Sequence, residues 1–225
     1  MNITQFKNRT EAGQLLAGSL LEYAHRDDVI VLGLPRGGVP VAYEVAQQLG
    51  VALDVLVVRK LGVPGWEEFA MGAIASGGVR VLNQETVRSC GITRQAIDEA
   101  VAAQTKELRR RELAYRGHPG VPEIKGKIVI LVDDGIATGS TIRAAVEALR
   151  QQHPKRIIIA VPTASTDSCA MLKPMVDKLI TLMMPPDFCA VGQWYEDFSQ
   201  TTDAEVTQLL ERAASHPQPA GKSIP

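Results

Sequence analysis

The strongest constraint on this chain is a set of short, uninterrupted aliphatic runs: VIVLGL (29–34), VLVV (55–58), KIVILVDD (127–134), RIIIAVP (156–162) and KLITLMM (178–184). A strand with one wet face alternates apolar and polar residues. A run that is apolar at nearly every position needs cover on both faces, as in a parallel sheet. Helical patterns lie between and after these runs, at 41–49, 93–116, 141–152, 166–173 and 203–214. In the long 93–116 segment, Ile97, Val101, Leu108 and Tyr115 form one stripe behind a Thr93 cap. Strand–helix alternation implies right-handed crossovers and an α/β fold: an open, mainly parallel sheet with helices on both faces. AMGAIA (70–75) and VRVL (79–82) flank Gly77 and Gly78 as a separate hairpin. Open α/β sheets bind ligands at the carboxyl ends of their strands, and the chain's unusual residues fall there.

Composition narrows the function classes. The 225 residues suit one core with elaborations. A net charge of −1 argues against a nucleic-acid binder working by a broad basic surface. No apolar run approaches the ~20 residues that span a bilayer, and MNITQFKNRT lacks a signal pattern, so a cytoplasmic protein with no membrane partner is expected. Cys90, Cys169 and Cys189 have no short spacing, and the four His form no ligand pair, so neither disulfides nor zinc are implied. The expected organisation is an α/β core over 1–184 with a helical insertion near 84–117, a small C-terminal hood over 185–213, and a disordered tail over 214–225.

The chemistry concentrates in ILVDDGIATGST (130–141). Backbone N–H groups of a small-residue loop entering a helix make an anion cradle, and Ala137, Thr138, Gly139, Ser140 and Thr141 can wrap a phosphate with added hydroxyl donors. No Lys follows Gly139, so this is not a Walker loop, and no G-x-G-x-x-G is present. Asp133 and Asp134 would repel the same phosphate, so they address another part of the ligand: vicinal ribose hydroxyls with a Mg2+ ion nearby. The competing reading is a solvated strand end with a capped helix. The stretch resembles the phosphoribosyl-pyrophosphate (PRPP) signature of type I phosphoribosyltransferases, in which a hydrophobic strand ends in two acids followed by a Thr-Gly-x-Thr loop. That resemblance implies that Asp133 and Asp134 hold the ribose hydroxyls and the metal, and that residues 137–141 hold the 5-phosphate.

GLPRGGVP (33–40) ends the first strand at another helix start; Gly37 and Gly38 let backbone donors approach an anion, and Arg36 adds a fork of donors. In the family this loop meets pyrophosphate; a plain tight turn is the alternative. Arg59 and Lys60 precede a Gly/Pro-rich stretch suited to a mobile lid, where relatives carry a cation; a solvated surface pair reads equally well. Glu67 and Glu68 could hold a metal-bound water or cap local structure. The LRRREL run (108–113) reads as a solvated helix face, with an anion clamp as the minority alternative. DFCAVGQWYEDF (187–198) is similar to the base-gripping segment of 6-oxopurine phosphoribosyltransferases, with Phe188, Val191, Gly192, Trp194 and Asp197 in comparable order; aromatic packing of a hood gives the same pattern. The 84–117 insertion departs from the smaller purine-salvage enzymes.

The resemblance implies a Mg2+-dependent pentosyltransferase of nucleotide salvage. It would move a phosphoribosyl group from PRPP to a nitrogenous, purine-type base with release of pyrophosphate, acting as a homodimer. Mg2+, Arg36 and Lys60 would stabilise the leaving group while Asp133 and Asp134 fix the ribose beside developing positive charge. A PRPP-sensing regulator would use the same cradle without turnover. An amidophosphoribosyltransferase would need a glutaminase domain with an N-terminal Cys, where this chain starts Met1-Asn2, and a PRPP synthetase would carry an ATP site and a longer chain.

Overall fold

In a computed structural model, which describes residues 4–118 and 123–215, four of the five aliphatic runs are strands of a five-stranded sheet, while the strand expected at 55–58 lies earlier, sharing only Val55, and Val58 begins a strand of a separate sheet. The strands of the five-stranded sheet are β1 (Val29–Gly33), β2 (Ala52–Val55), β6 (Ile128–Val132), β7 (Arg156–Thr163) and β8 (Lys178–Met183), in the order β2-β1-β6-β7-β8. Every neighbouring pair is parallel, as the unbroken aliphatic runs require. Alternate residues of each strand feed opposite faces. Ile30, Leu32, Val129, Leu131, Ile157 and Ile159 pack against Ile142, Val146 and Leu149 of helix α5 (Ser140–Arg150). Val29, Val31, Ile128, Ile130 and Ile158 pack against α1 (Arg9–Gly18) and α2 (Gly38–Leu49). The sheet order turns between β1 and β6, which leaves a crevice at their carboxyl ends.

The other three strands make a separate antiparallel sheet, β3 (Val58–Val63), β4 (Trp66–Ala75) and β5 (Val79–Leu82). The hairpin expected around Gly77 and Gly78 is present as β4–β5, both glycines having positive φ. The Gly/Pro-rich stretch suited to a mobile lid forms the turn end of a second hairpin, β3–β4, turned at Pro64-Gly65 with Gly65 at φ 77°. Backbone pairing there overrides the loop-like composition.

The insertion contains two helices, α3 (Gln84–Ser89) and α4 (Arg94–Arg116), the latter capped by Thr93 Oγ1 accepting from Ala96 N. Ile97, Leu108 and Tyr115 of α4 are buried with Leu61, Met71 and Ile74 of the small sheet and Val206 of α7 (Asp203–Ser215), and Val101 packs alongside. Helix α7 therefore lies against α2 and α4 and is not part of a hood, which shrinks to the segment around the 3-10 turn Val191–Trp194. Of the tail expected from 214, Ala214 and Ser215 complete α7, and the rest lies outside the described residues. α6 (Thr166–Leu172) joins β7 to β8. Among the described residues, no helix is long and apolar enough to cross a membrane.

Candidate phosphoribosyl site

The crevice between β1 and β6 is closed by two loops that touch. After β1 the chain turns through residues 34–38, with Leu34 N donating to Val132 O at 2.9 Å, Gly38 N to Leu34 O at 3.0 Å, and the Pro35–Arg36 peptide cis. After β6 come Asp133 and Asp134. The reason for two glycines is steric. A Cβ on Gly38 would sit 2.8 Å from both Asp133 Cα and Val132 O, and one on Gly37 would strike the Asp134 carboxylate and lie 3.2 Å from Arg9 Nε. Only bare backbone can pass this close to the acid pair.

The two acids are adjacent but have different partners. Asp133 Oδ1 accepts from Asp134 N at 2.9 Å. Asp134 Oδ2 accepts from Arg9 Nε at 2.9 Å and pairs with Arg9 Nη2 at 2.9 Å, with 12% and 14% of the Arg9 and Asp134 side chains exposed. Arg9 also donates from Nη1 to Ser199 O at 2.7 Å, and its guanidinium carbon lies 4.0 Å from the Phe198 ring centroid. The Tyr195 hydroxyl donates to the Asp134 carbonyl at 2.6 Å. Burial first, then the neighbouring Asp134 charge, pushes the Asp133 carboxyl well above the usual carboxylate range. Burial also raises Asp134, with Arg9 pulling in the opposite direction.

The cradle is anchored from behind. A parallel bridge joins Ile136 to Ala164, Ile136 N donates to Thr163 O at 2.9 Å, and the Ser165 and Ser168 hydroxyls both donate to Ala137 O, at 2.8 and 2.6 Å. Gly139 caps α5 at φ 71°, and a Cβ there would lie 2.9 Å from Met171 Cε. α6 thus forms the wall behind the loop. Thr138 and Ser140 are exposed on its open edge, their hydroxyls 3.2 Å apart, with Thr141 half-buried beside them in the first turn of α5.

The remaining expected site residues are distributed unevenly. Arg36 is half-buried, its Nη1 4.0 Å from Asp203 Oδ1. Neighbours on β3, Arg59 and Lys60 point apart. Arg59 Nε donates to Gln104 of α4 at 2.9 Å, while Lys60 lines a cavity of about 330 Å³ with Thr138, Ser140, Arg143 and Phe69. Glu67 is exposed on the small sheet, and the Glu68 side chain lies outside the described residues. Phe188 lines a second cavity of about 420 Å³ with Ala137, Thr138, Ser165 and Asp167. Val191 presses on Gly135, whose added Cβ would lie 2.6 Å from Val191 Cγ1. Trp194 stacks on Phe188 at 6.1 Å between centroids. Asp197 is turned elsewhere: its Oδ1 accepts from Ser199 N at 2.9 Å, a bond that lowers its pKa.

Sequence reasoning missed Arg9, Tyr195, Ser165, Ser168 and Asp203. Ser165 alone carried a local signal, since it caps α6 by accepting from Ser168 N. For a metal, the described residues contain no group of three or more His, Cys, Asp or Glu that could hold one. Asp133 and Asp134 do offer hard oxygen donors, and Mg2+ is commonly bound through one or two carboxylates with substrate phosphates and water completing its shell. The donor set fits a Mg2+ held jointly with a phosphorylated ligand.

A parallel sheet with an acid pair and a small-residue loop entering a helix at its switch point defines the class, an α/β protein with its candidate site at the carboxyl ends of the strands. The chain matches the family model for the phosphoribosyl transferase domain over residues 2–181, and it belongs to that family. It is 46% identical over 209 residues to a Mycobacterium tuberculosis (strain H37Rv) protein provisionally named a phosphoribosyl transferase, covering 92% of this chain and 47% of that one. The chain thus spans about half the length of the curated relatives it matches first. A bifunctional protein PyrR from Chloroflexus aurantiacus is 33% identical over 129 residues, 56% of this chain and 65% of that one. The crystal structure of the Thermus thermophilus protein TT1426 superposes with a TM-score of 0.81 at 42% identity, covering 92% of this chain and 98% of that chain.

Proposed function

We propose that the protein transfers the 5-phosphoribosyl group of PRPP to a nitrogenous base, releasing pyrophosphate. The observation that carries this is the contact of the two loops: Gly37 and Gly38 lie directly on Asp134 and Asp133, so a leaving group held by the first loop and a ribose held by the acids would adjoin at one crevice. In the proposed reaction the bond from C1 to the diphosphate oxygen breaks, a base nitrogen bonds to C1, and that nitrogen gives up its proton. Positive charge grows at C1 while the diphosphate departs. Asp133 and Asp134 would face the ribose hydroxyls, close to that charge, and residues 137–141 would hold the 5-phosphate against the start of α5. Mg2+, held by the two carboxylates and the ligand, would supply charge neutralisation of the diphosphate. Arg36 would grip the diphosphate as a fork of donors. Lys60, facing Thr138 and Ser140, would add a cation on the cradle side.

The acceptor in this reading is a purine-type base. Phe188 offers a ring on which a flat base can stack, worth about 1 kcal/mol, beside a cavity of suitable volume that reaches Ala137 and Thr138. Trp194 stacks on that ring and Val191 presses on Gly135 beside the acid pair, whereas Asp197 carries little of the proposal, its carboxylate already capping Ser199 N. A homodimer is proposed with it, tested by sedimentation. The test of function is turnover with PRPP and Mg2+ across purine and pyrimidine bases and inorganic phosphate. Pyrophosphate release dependent on a 6-oxopurine supports the reading. Binding of PRPP with no turnover in any arm would make the site a sensor, and no binding of PRPP would remove the proposal altogether.

A further inference from the structure

One charged cluster joins Arg36 of the 34–38 loop to residues of α4 and α7 not invoked so far. Asp203, in the first turn of α7, accepts from the Tyr115 hydroxyl of α4 at 2.7 Å. Arg36 Nη1 lies 4.0 Å from its Oδ1, and Arg110 Nη2 of α4 lies 3.8 Å from its Oδ2. Arg110 and Arg111 also share Glu107, at 2.7 and 2.8 Å. Three segments far apart in the chain therefore put two guanidinium groups on either side of one carboxylate. Neither contact with Asp203 has the 2.7–2.9 Å length of a closed charge-assisted hydrogen bond, in contrast to Arg9 on Asp134 at 2.9 Å. Asp203 itself is held firmly, by Tyr115 and by its place at a helix N-terminus, where negative charge is favoured.

We propose that Arg36 and Arg110 are the two jaws of the diphosphate site, and that Asp203 is a built-in anion between them which gives up Arg36 when a diphosphate binds. The inference rests on the reading that the 34–38 loop receives the leaving group. The anchored partner is the carboxylate and the loosely held partner is the arginine, so the arginine moves. A diphosphate carries more charge than a carboxylate and matches the guanidinium fork in both oxygens. Burial and the Asp203 bond raise the Tyr115 pKa, keeping its hydroxyl a donor and the carboxylate in place. The 84–117 insertion then has a role: it carries one jaw and the tether of the resident anion.

Two ligands titrated separately by calorimetry test it, inorganic pyrophosphate with Mg2+ and ribose 5-phosphate. Asp203→Asn is expected to bind pyrophosphate ~2–5-fold tighter and Arg110→Gln ~2–5-fold weaker, the scale of a partly exposed ion pair, with ribose 5-phosphate affinity unchanged in both. Tyr115→Phe removes the tether and keeps the charge, so it should lower thermal stability without tightening pyrophosphate binding. If Asp203→Asn binds pyrophosphate no tighter than wild type, or Arg110→Gln binds it equally well, Asp203 is only a link between α4 and α7 and the inference falls. Loss of the leaving-group reading itself shows differently: Arg36→Gln would then leave pyrophosphate affinity unaltered. Failure of wild type to bind ribose 5-phosphate would discard the cradle while leaving the pyrophosphate results standing.

Discussion

Replacing Arg9 by Met should unsettle the acid pair more than any substitution at the acids themselves. Arg9 and Asp134 are 12% and 14% exposed and make two contacts of 2.9 Å. Removing one partner of such a buried pair costs about 3–5 kcal/mol, because the other charge stays buried without compensation. The lost bond to Ser199 O adds about 1 kcal/mol, and the Met stem preserves part of the contact with Phe198. Proton uptake by Asp134 offsets part of the cost, leaving an expected loss of about 3 kcal/mol. For a chain of this size, at about 2–4 °C per kcal/mol, that is roughly 6–12 °C in Tm. Urea unfolding of wild type, Arg9→Met, Asp134→Asn and the double variant measures it. The double variant should be more stable than Arg9→Met alone, since no unpaired charge remains. If Arg9→Met lies within about 0.5 kcal/mol of wild type, or the two single losses merely add, the pair does not anchor the acids.

Other substitutions probe the site from different sides. Asp133→Asn removes a like charge from a buried pair, so stability should hold or rise while kcat/KM for PRPP falls about 10²–10³-fold; unchanged turnover would separate Asp133 from the chemistry. Gly139→Val should abolish ribose 5-phosphate binding by calorimetry, because φ 71° is a backbone conformation a β-branched residue rarely adopts, so the loop must move; wild-type affinity would put the cradle elsewhere. Lys60→Ala should raise KM for PRPP more than it lowers kcat, as Lys60 faces Thr138 and Ser140 and not Arg36; a pure kcat loss would assign it to the departing diphosphate. The Arg26 bond first, with Lys155, holds the Asp28 carboxyl down at about 2. A depressed carboxylate stabilises the fold above its unfolded pKa near 3.8 and loses that contribution as pH falls through about 2. With 38% of the side chain exposed, the contribution is at most about 1 kcal/mol. Asp28→Asn should therefore be less stable than wild type in urea at pH 7, by a gap that narrows below about pH 3.5; a gap independent of pH would mean that lost packing, not charge, is responsible.

What could be read from the sequence, and what could not, divides by the range of the forces involved. β1, β6, β7 and β8 announced themselves because burial on both faces demands apolar residues at consecutive positions, a purely local mark. The cradle was equally visible, since a phosphate site built from backbone needs small residues in one unbroken stretch. β3 was hidden by VRKLGV, where side chains of Arg59 and Lys60 leave on opposite faces and only pairing with β4 defines the strand. α1 was hidden because it buries Ala12, Gly13, Leu16 and Ala17, mostly small residues that give little periodic signal. Gly13 is there to let α1 approach α2, a Cβ falling 2.8 Å from Val41 O, and that approach carries Arg9 to Asp134, 125 residues away. Tyr195 meets the same acid from 61 residues downstream, and Asp203 meets Arg36 and Arg110 from two separate elements. The acids could thus be located from their own neighbourhood. The groups that set their charge and hold them still are assembled only by tertiary packing, and it is these long-range partners that make two adjacent buried carboxylates tolerable.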